Sequence, residues 1–283
     1  MSYSGYTAVI GILISDNHSK EDILNCMKSC QGYPIWVHAN TNDTNWADRM
    51  KIACEETGCH YFSSTRSNGN PGFGKNLMMR NFGMDTNLRF FSYCFLIDGD
   101  DAWGSTLPEL FKRKYDGDFL FSSGGKYKWK DEIYEKVELA QLSEQIRKDM
   151  GDKYDKPTSY ISEWLDLREL LQKFYQHPNN EHGTLNRLIG FHKGSIYKLQ
   201  FKEDIKIAED LIFHIEALMA DKRKEFKIQY LHDDDLYLYQ PNERGIHYYS
   251  FSRPKENWLA RVRAYLPKAY PKSLKKYKVD WIK

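Results

Sequence analysis

Residues 95–103, FLIDGDDAW, place Asp98, Asp100 and Asp101 directly after an apolar run. Three carboxylates this close repel one another, and a fold tolerates them at a strand end when a cation is held there. Hard oxygen ligands of this kind suit Mg²⁺ or Mn²⁺, which in turn hold a diphosphate. Gly99 lets the backbone approach such a ligand closely. Taken alone, DGDD also reads as a polar turn capping the next helix. The aromatic-rich apolar run before it and Trp103 after it favour the metal–diphosphate reading.

Four further segments carry possible chemistry. Ala208-Glu209-Asp210 opens an apolar helix, where a carboxylate gains from the helix dipole. The functional reading is a general base that takes a proton from a hydroxyl, and the plain one is helix N-terminal charge. Gly69 to Lys75 fits G-x-x-x-x-G-K, the phosphate loop of nucleotide hydrolases and kinases. The next residue, however, is Asn76, which lacks the Mg²⁺-binding hydroxyl. This stretch reads better as a loop and helix start that bring Lys75 and Arg80 toward a nucleotide. His247, in GIHYYSFSR, could close over a diphosphate as a metal ligand or phosphate donor, or be a structural loop histidine. HDDD at residues 232–235 lies between strand-like residues and reads as a solvated turn.

The elements that must position these residues alternate. TAVIGILIS, PIWVHA, CHYFSS and FFSYCFLI read as buried strands. Between them, SKEDILNCMKSC is a helix with Ser19 as N-cap and Asp22 three residues on, WADRMKIACEETG is a helix stopped by Gly58, and GKNLMMRNFGM is a third. This pattern predicts a mostly parallel sheet with helices on both faces. Ligands of such sheets sit at the carboxyl ends of strands. Asp98 falls there on the fourth strand, and Asn40 to Asp43 fall there on the second. One more helix and strand follow over 106–124. Residues 126–182, charged and aromatic, read as an inserted helical subdomain or acceptor lid. The alternation resumes at 183 with LNRLIGFHKGSIYKL, the helix AEDLIFHIEALMADK and strand-forming FKIQYLHDDDLYLYQ.

Composition sets limits on these readings. At 283 residues, 28% charged and 41% apolar, the chain has the make-up of a globular protein with one sizeable core. No apolar run approaches the roughly 18 residues of a membrane span. The N-terminal apolar stretch has no basic flank or small-residue cleavage site, and reads as a first strand rather than a signal peptide. The five cysteines (Cys26, Cys30, Cys54, Cys59 and Cys94) lack metal spacing and read as reduced thiols of a cytoplasmic protein. The net charge of +2 hides an asymmetry. Residues 253–283 hold ten Lys/Arg and two acids, leaving 31 basic against 37 acidic residues elsewhere. Trp258, Tyr265, Tyr270, Tyr277 and Trp281 are interleaved with that basic tail. It could face nucleic acid or an anionic membrane, or pack on the domain through its aromatics.

In this order, the segments resemble the family 2 inverting glycosyltransferases of the GT-A fold over residues 7–253, with 126–182 poorly matched. FLIDGDDAW resembles the family's strand and DxD motif, RNFG (80–83) its helix after the nucleotide-binding loop, AED its catalytic-base segment, and LYLYQ with HYYSFS its closing strand and loop. The resemblance implies a GT-A catalytic domain over 1–252 and a basic, aromatic extension over 253–283. It implies that Asp100 binds Mn²⁺ or Mg²⁺ directly, with Asp98 near the ribose or the metal's water shell and His247 closing the site. Asp101 would orient the site or meet the donor sugar. Asp210 would be the base with Glu209 beside it, and Arg80 would lie near the base or diphosphate. The family's acidic pair after the second strand is replaced by HANTNDTN, so Asn40 and Asp43 would have to serve the nucleobase, with uridine expected.

The implied reaction moves a sugar from a nucleotide-sugar, with inversion, to a hydroxyl of a glycan or small molecule. The basic tail keeps a second acceptor open, hydroxymethylated DNA bases, as in phage-type DNA glycosyltransferases. Two further classes compete: a P-loop kinase, which would need Lys75 for activity, and a nucleotide-sugar binder without turnover.

Overall fold

The computed structural model describes residues 5–122, 125–130, 132–135, 187–205 and 209–240, together with the single positions 145, 148 and 149. The first strand, β1 (Ala8–Ile14), is buried along its whole length. Its side chains divide with period two. Val9 and Leu13 join one apolar cluster, and Ala8, Ile10, Ile12 and Ile14 join another on the opposite face. A strand buried on both faces must lie inside a helix-covered sheet, and β1 is central. It pairs in parallel with β2 (Ile35–Asn40) on one side and with β4 (Tyr93–Asp98) on the other.

Beyond β2 lies β3 (His60–Ser64), and beyond β4 lie β9 (Arg187–His192), β6 (Phe119–Ser122) and β10 (Ile228–Leu231), giving the order 10-6-9-4-1-2-3. Only β9 runs antiparallel, against both β4 and β6. The chain winds outward from β1 through β2 to β3 and then crosses to β4. The β1/β4 boundary is therefore a topological switch point, where a crevice opens at the strands' carboxyl ends.

Helices cover both faces. α1 (Lys20–Ser29) starts with the expected capping box, in which the Ser19 hydroxyl accepts from the Asp22 N–H and the Asp22 carboxylate accepts in return from the Ser19 N–H. α2 (Thr44–Glu55) follows β2, and α4 (Leu107–Lys112) follows β5 (Ala102–Trp103). On the other face lie α3 (Pro71–Met84) and α5 (Glu209–Lys222). Met78, Met79 and Phe82 of α3 and Leu211, Phe213, Ile215 and Leu218 of α5 pack there against Trp36, Phe119, Phe121 and Phe191.

Two elements differ from the sequence expectation. α3 starts at Pro71, three residues before the expected Gly74, because proline at the first helical position sacrifices only an N–H that needs no helical partner. The start of the expected helical insertion is instead extended. β7 (Lys126–Trp129) and β8 (Glu132–Tyr134) form an antiparallel pair, and β7 also pairs with β11 (Tyr237–Tyr239). With β5 they make a small second sheet, order 5-11-7-8. Its aromatic residues favour a pleated surface over a helix. HDDD is the turn that separates β10 in the large sheet from β11 in the small one. The remainder of 136–182 (apart from those single positions) and the basic extension 253–283 lie outside the described residues.

The glycines of α3 are a packing requirement. A Cβ on Gly72 would meet the Lys202 carbonyl oxygen at 2.3 Å, and one on Gly74 would meet Asn40 Nδ2 at 2.7 Å. Gly72→Ala should therefore lower stability by roughly 1–3 kcal/mol, because overpacking against backbone outweighs the helix-propensity gain of about 1 kcal/mol. Urea unfolding midpoints of the two proteins check this, and a stabilised variant would show that the helix can move away from the Lys202 carbonyl.

Candidate active site

Asp98 is the last residue of β4 and lies in register with Leu13 of β1. The chain then turns sharply, with the Gly99 N–H donating to the Leu13 carbonyl at 2.9 Å and the Asp101 N–H to the Asp98 carbonyl at 3.1 Å. A Cβ at position 99 would stand 2.6 Å from Ile14 Cγ2, so the turn hugs the end of β1. The three carboxylates meet different surroundings. Asp101 is fully buried, accepts from the Gln240 N–H at 2.8 Å and from the Tyr237 hydroxyl, and forms an ion pair with Arg187 Nη1 at 3.1 Å. Asp98 accepts from Arg187 Nη2. Asp100 has His18 Nε2 at 3.6 Å, and the Gln240 side-chain amide donates to its carbonyl at 3.2 Å.

Charge follows from these surroundings. Burial pushes the Asp101 carboxyl up to about 8, against the pull of Arg187. Burial and the neighbouring Asp98 push Asp100 up to about 7. Asp98 lies below the ordinary carboxylate range although burial opposes this, because Arg187 and, more weakly, Lys75 and His18 favour its charged form. Burial lowers His18, whose Nδ1 accepts from the Ser15 N–H at 3.2 Å. The Nε2–H of this tautomer therefore points toward Asp100.

The second cluster is set by α3 and α5. Lys75 is 3% exposed, and its Nζ donates to Glu209 Oε1 at 2.9 Å and to Asp210 Oδ1 at 2.7 Å. Burial alone would lower the Lys75 ammonium, but Asp210 and Glu209 more than offset it and hold it above its usual range. Burial pushes Glu209 up to about 7 against the pull of Lys75. The clusters share one electrostatic site, since Asp98 helps keep Lys75 charged and Asp210 helps keep Arg187 charged.

The structure thus brings DGDD, Lys75, Glu209 and Asp210 together, with the Lys75 ammonium on two carboxylates where the sequence reading turned it toward a nucleotide. Other candidates stand elsewhere. Asn40 ends β2, buried, with its Oδ1 lacking a hydrogen-bond partner among the described residues. Asp43 is exposed and serves as N-cap of α2, accepting from the Trp46 N–H at 2.9 Å. Arg80 pairs with Glu203 at 3.4 Å. Lys75 sits inside α3 with its ammonium on two carboxylates, which is not the loop-borne lysine of a phosphate-binding loop. His247 lies outside the described residues. Sequence reasoning missed His18, Tyr237 and above all Arg187. The available signal for Arg187 was a lone charge opening the otherwise apolar strand RLIGF.

Among the described residues, no group of three or more His, Cys, Asp or Glu side chains is arranged to hold a metal ion unaided. Mg²⁺ or Mn²⁺ bound through one or two carboxylates and completed by phosphate and water needs no such cage. Asp100, raised by burial and by Asp98, is a carboxylate of the kind that could hold such an ion. A cleft of about 550 Å³, lined by Asp16, His18, Lys20, Trp46 and Arg49, opens beside the site. Another, of about 590 Å³, lies away from the carboxylates at the amino ends of β4 and β6, among Tyr93, Arg113 and Asp118. No helix among the described residues is long and apolar enough to cross a membrane.

No protein-family model matches the sequence, and no curated protein matches it. Among solved structures the chain is similar to S. aureus TarS 1–349, at 12% identity and TM-score 0.52, over 95% of this chain and 68% of that one. It is likewise similar to TarS 1–349 in complex with UDP, at 13% identity and TM-score 0.50, over 97% and 76%. The chain has the GT-A fold.

Lys75→Met would leave Glu209 and Asp210 without their shared cation. The expected cost is about 3–5 kcal/mol at neutral pH. Without Lys75 the Glu209 carboxyl rises further, so its proton is retained in the folded state over a wider range. The variant's deficit should therefore shrink as pH falls and grow as pH rises through 7. Urea midpoints at pH 5 and pH 8 test this, and a deficit independent of pH would mean the pair is not the source of the cost.

Proposed function

We propose that this chain is a metal-dependent, inverting glycosyltransferase that moves a sugar from a nucleotide-sugar, with UDP as the favoured nucleotide, to an acceptor hydroxyl. The observation that carries this reading is the convergence of DGDD with Glu209 and Asp210 at the carboxyl end of a GT-A sheet. The likeness to a TarS structure in complex with UDP supports the choice of nucleotide.

Asp100, with Asp98 beside it, would hold Mn²⁺ or Mg²⁺. Such an ion neutralises the charge that develops on a departing nucleoside diphosphate. Asp210 is the base. Its side chain is 35% exposed against 9% for Glu209, so Asp210 is the carboxylate an acceptor can reach. Asp210 takes the proton of the acceptor hydroxyl, whose oxygen then attacks the anomeric carbon opposite the leaving group, inverting it. Lys75 orients the base through its 2.7 Å contact, and Glu209 balances the lysine's charge. Asn40, at the end of β2 with a buried Oδ1 that has no hydrogen-bond partner among the described residues, is the candidate for the nucleobase. Asp43 is committed to capping α2.

Asp210→Asn should lower transfer by roughly 10²–10⁴-fold, the usual contribution of a positioned base, while UDP affinity measured by calorimetry changes little. Normal turnover by this variant would remove Asp210 from the mechanism. The wild-type protein should release UDP from a UDP-sugar in the presence of Mn²⁺, faster than GDP from a GDP-sugar. Glycan and small-molecule hydroxyls are the first acceptors to supply. Duplex DNA with hydroxymethylated bases is the second, motivated by the basic, aromatic residues 253–283. Incorporation of labelled sugar into one and not the other decides between them.

A further inference from the structure

Three large apolar side chains stand in solvent at the end of the sheet opposite the DGDD turn. Phe90 is 73% exposed, Tyr197 65% and Met84 64%. Met84 ends α3, Phe90 lies just before β4, and Tyr197 follows β9. Contacts tie the three segments together. The Lys193 N–H donates to the Ser92 carbonyl at 2.7 Å, and Lys193 Nζ donates to the Leu88 carbonyl at 2.6 Å. A Cβ on Gly83 would stand 2.1 Å from Ile196 Cδ1, so the residues preceding Met84 and Tyr197 touch. Cations surround these side chains. The Arg89 guanidinium lies 4.6 Å from the Phe90 ring centroid. Next to this loop, the cleft of about 590 Å³ is lined by Ser92, His192 and the exposed Arg113 and Lys114. The acids of this end are already engaged: Asp85 with His60 at 2.7 Å, Asp118 with Lys198 at 2.8 Å, and Asp116 with Lys227. Arg89, Arg113 and Lys114 enter no ion pair among the described residues.

We propose that this end of the sheet docks on an anionic lipid bilayer, with Met84, Phe90 and Tyr197 entering the headgroup layer and Arg89, Arg113 and Lys114 on lipid phosphates. Interfacial binding draws on both terms, apolar tips at the acyl boundary and Lys or Arg on anionic headgroups. The cleft gives Arg113 and Lys114 room to receive a headgroup. Charge complementarity selects this occupant over two others. A second copy of the chain would bring like charge against like. A nucleic-acid duplex would answer the cations through its phosphates and leave Met84 and Tyr197 in water. β4 runs from this face to Asp98, and β9 runs back to it from Arg187. Docking therefore holds the carboxylate cluster away from the lipid by the six residues of β4, roughly 20 Å at about 3.3 Å per residue, so that the cluster faces solution. The docking does not depend on which reaction the cluster performs.

The test is co-sedimentation of the full chain with vesicles of phosphatidylcholine alone and of phosphatidylcholine mixed with phosphatidylglycerol. The wild-type chain should bind the mixed vesicles and not the neutral ones, and added salt should weaken that binding. Phe90→Ala should lower the partition coefficient roughly tenfold, the scale of a partly inserted ring. Arg113→Gln and Lys114→Gln should each lower it about fivefold. All three side chains are exposed, so urea midpoints should match wild type and confirm that the variants fold. Undiminished binding by Phe90→Ala would overturn the proposal, because the basic residues 253–283 would then carry the association without this face. Absence of wild-type binding to the mixed vesicles would also overturn it and leave the face to an acidic protein. Duplex DNA that binds the wild-type chain, and loses as much affinity as the vesicles do in the same three variants, would assign the face to nucleic acid instead.

Discussion

Five carboxylates, Asp98, Asp100, Asp101, Glu209 and Asp210, are gathered at one end of a sheet around two fixed cations, Arg187 and Lys75. Like charges at such separations are costly in a partly buried site, and each must be paired or protonated. The two cations divide the work, each spanning two acids. On the turn, burial and Asp98 raise Asp100. The sheet topology puts this cluster at the β1/β4 crevice.

Strand-borne features were readable in the sequence because they obey local rules. β1, β2 and β4 are apolar runs long enough to be recognised, and the DGDD turn follows from where β4 stops. The helices were readable by period and cap, as with Ser19 and Asp22 of α1. What was not readable depends on contacts distant in sequence. The small sheet is built from strands of two to four residues, too short for a periodic signal. Its partners come from residues 102, 126, 132 and 237 onward. Asp101 is anchored there by Tyr237 and Gln240, which no spacing within DGDD could announce. Arg187 is a single charged residue whose meaning appears only once β9 is inserted antiparallel beside β4. Asp43, expected near the nucleobase, is in the structure the N-cap of α2, a local role that an Asp just before a helix commonly takes. Arg80 likewise finds its partner, Glu203, across a loop far along the chain.

The place of Lys75 is set by α3. Gly72 and Gly74 let this helix press against the Lys202 carbonyl and Asn40, and the same helix buries Lys75, the residue after Gly74. Asn76, on the same helix, grips the segment leading to α5. Its Oδ1 accepts from the Phe201 N–H at 2.8 Å, and its Nδ2 donates to the Phe201 carbonyl and to Glu203 Oε1, both at 2.9 Å. Asn68 and Asn70 add donors to the Glu203 carbonyl at 2.9 and 2.8 Å. The stretch NGNPGFGKN therefore does bear on the site, though not as a phosphate cradle. It is a strut whose polar side chains fix the 201–203 segment and whose lysine fixes the two carboxylates at the start of α5. Asn76, the residue that spoils the phosphate-loop match by replacing Ser or Thr, is the one whose amide can donate and accept at once. A hydroxyl there could not serve the Phe201 N–H, the Phe201 carbonyl and Glu203 together. The departure from the nucleotide-hydrolase pattern and the anchoring of the segment before α5 thus have the same physical cause.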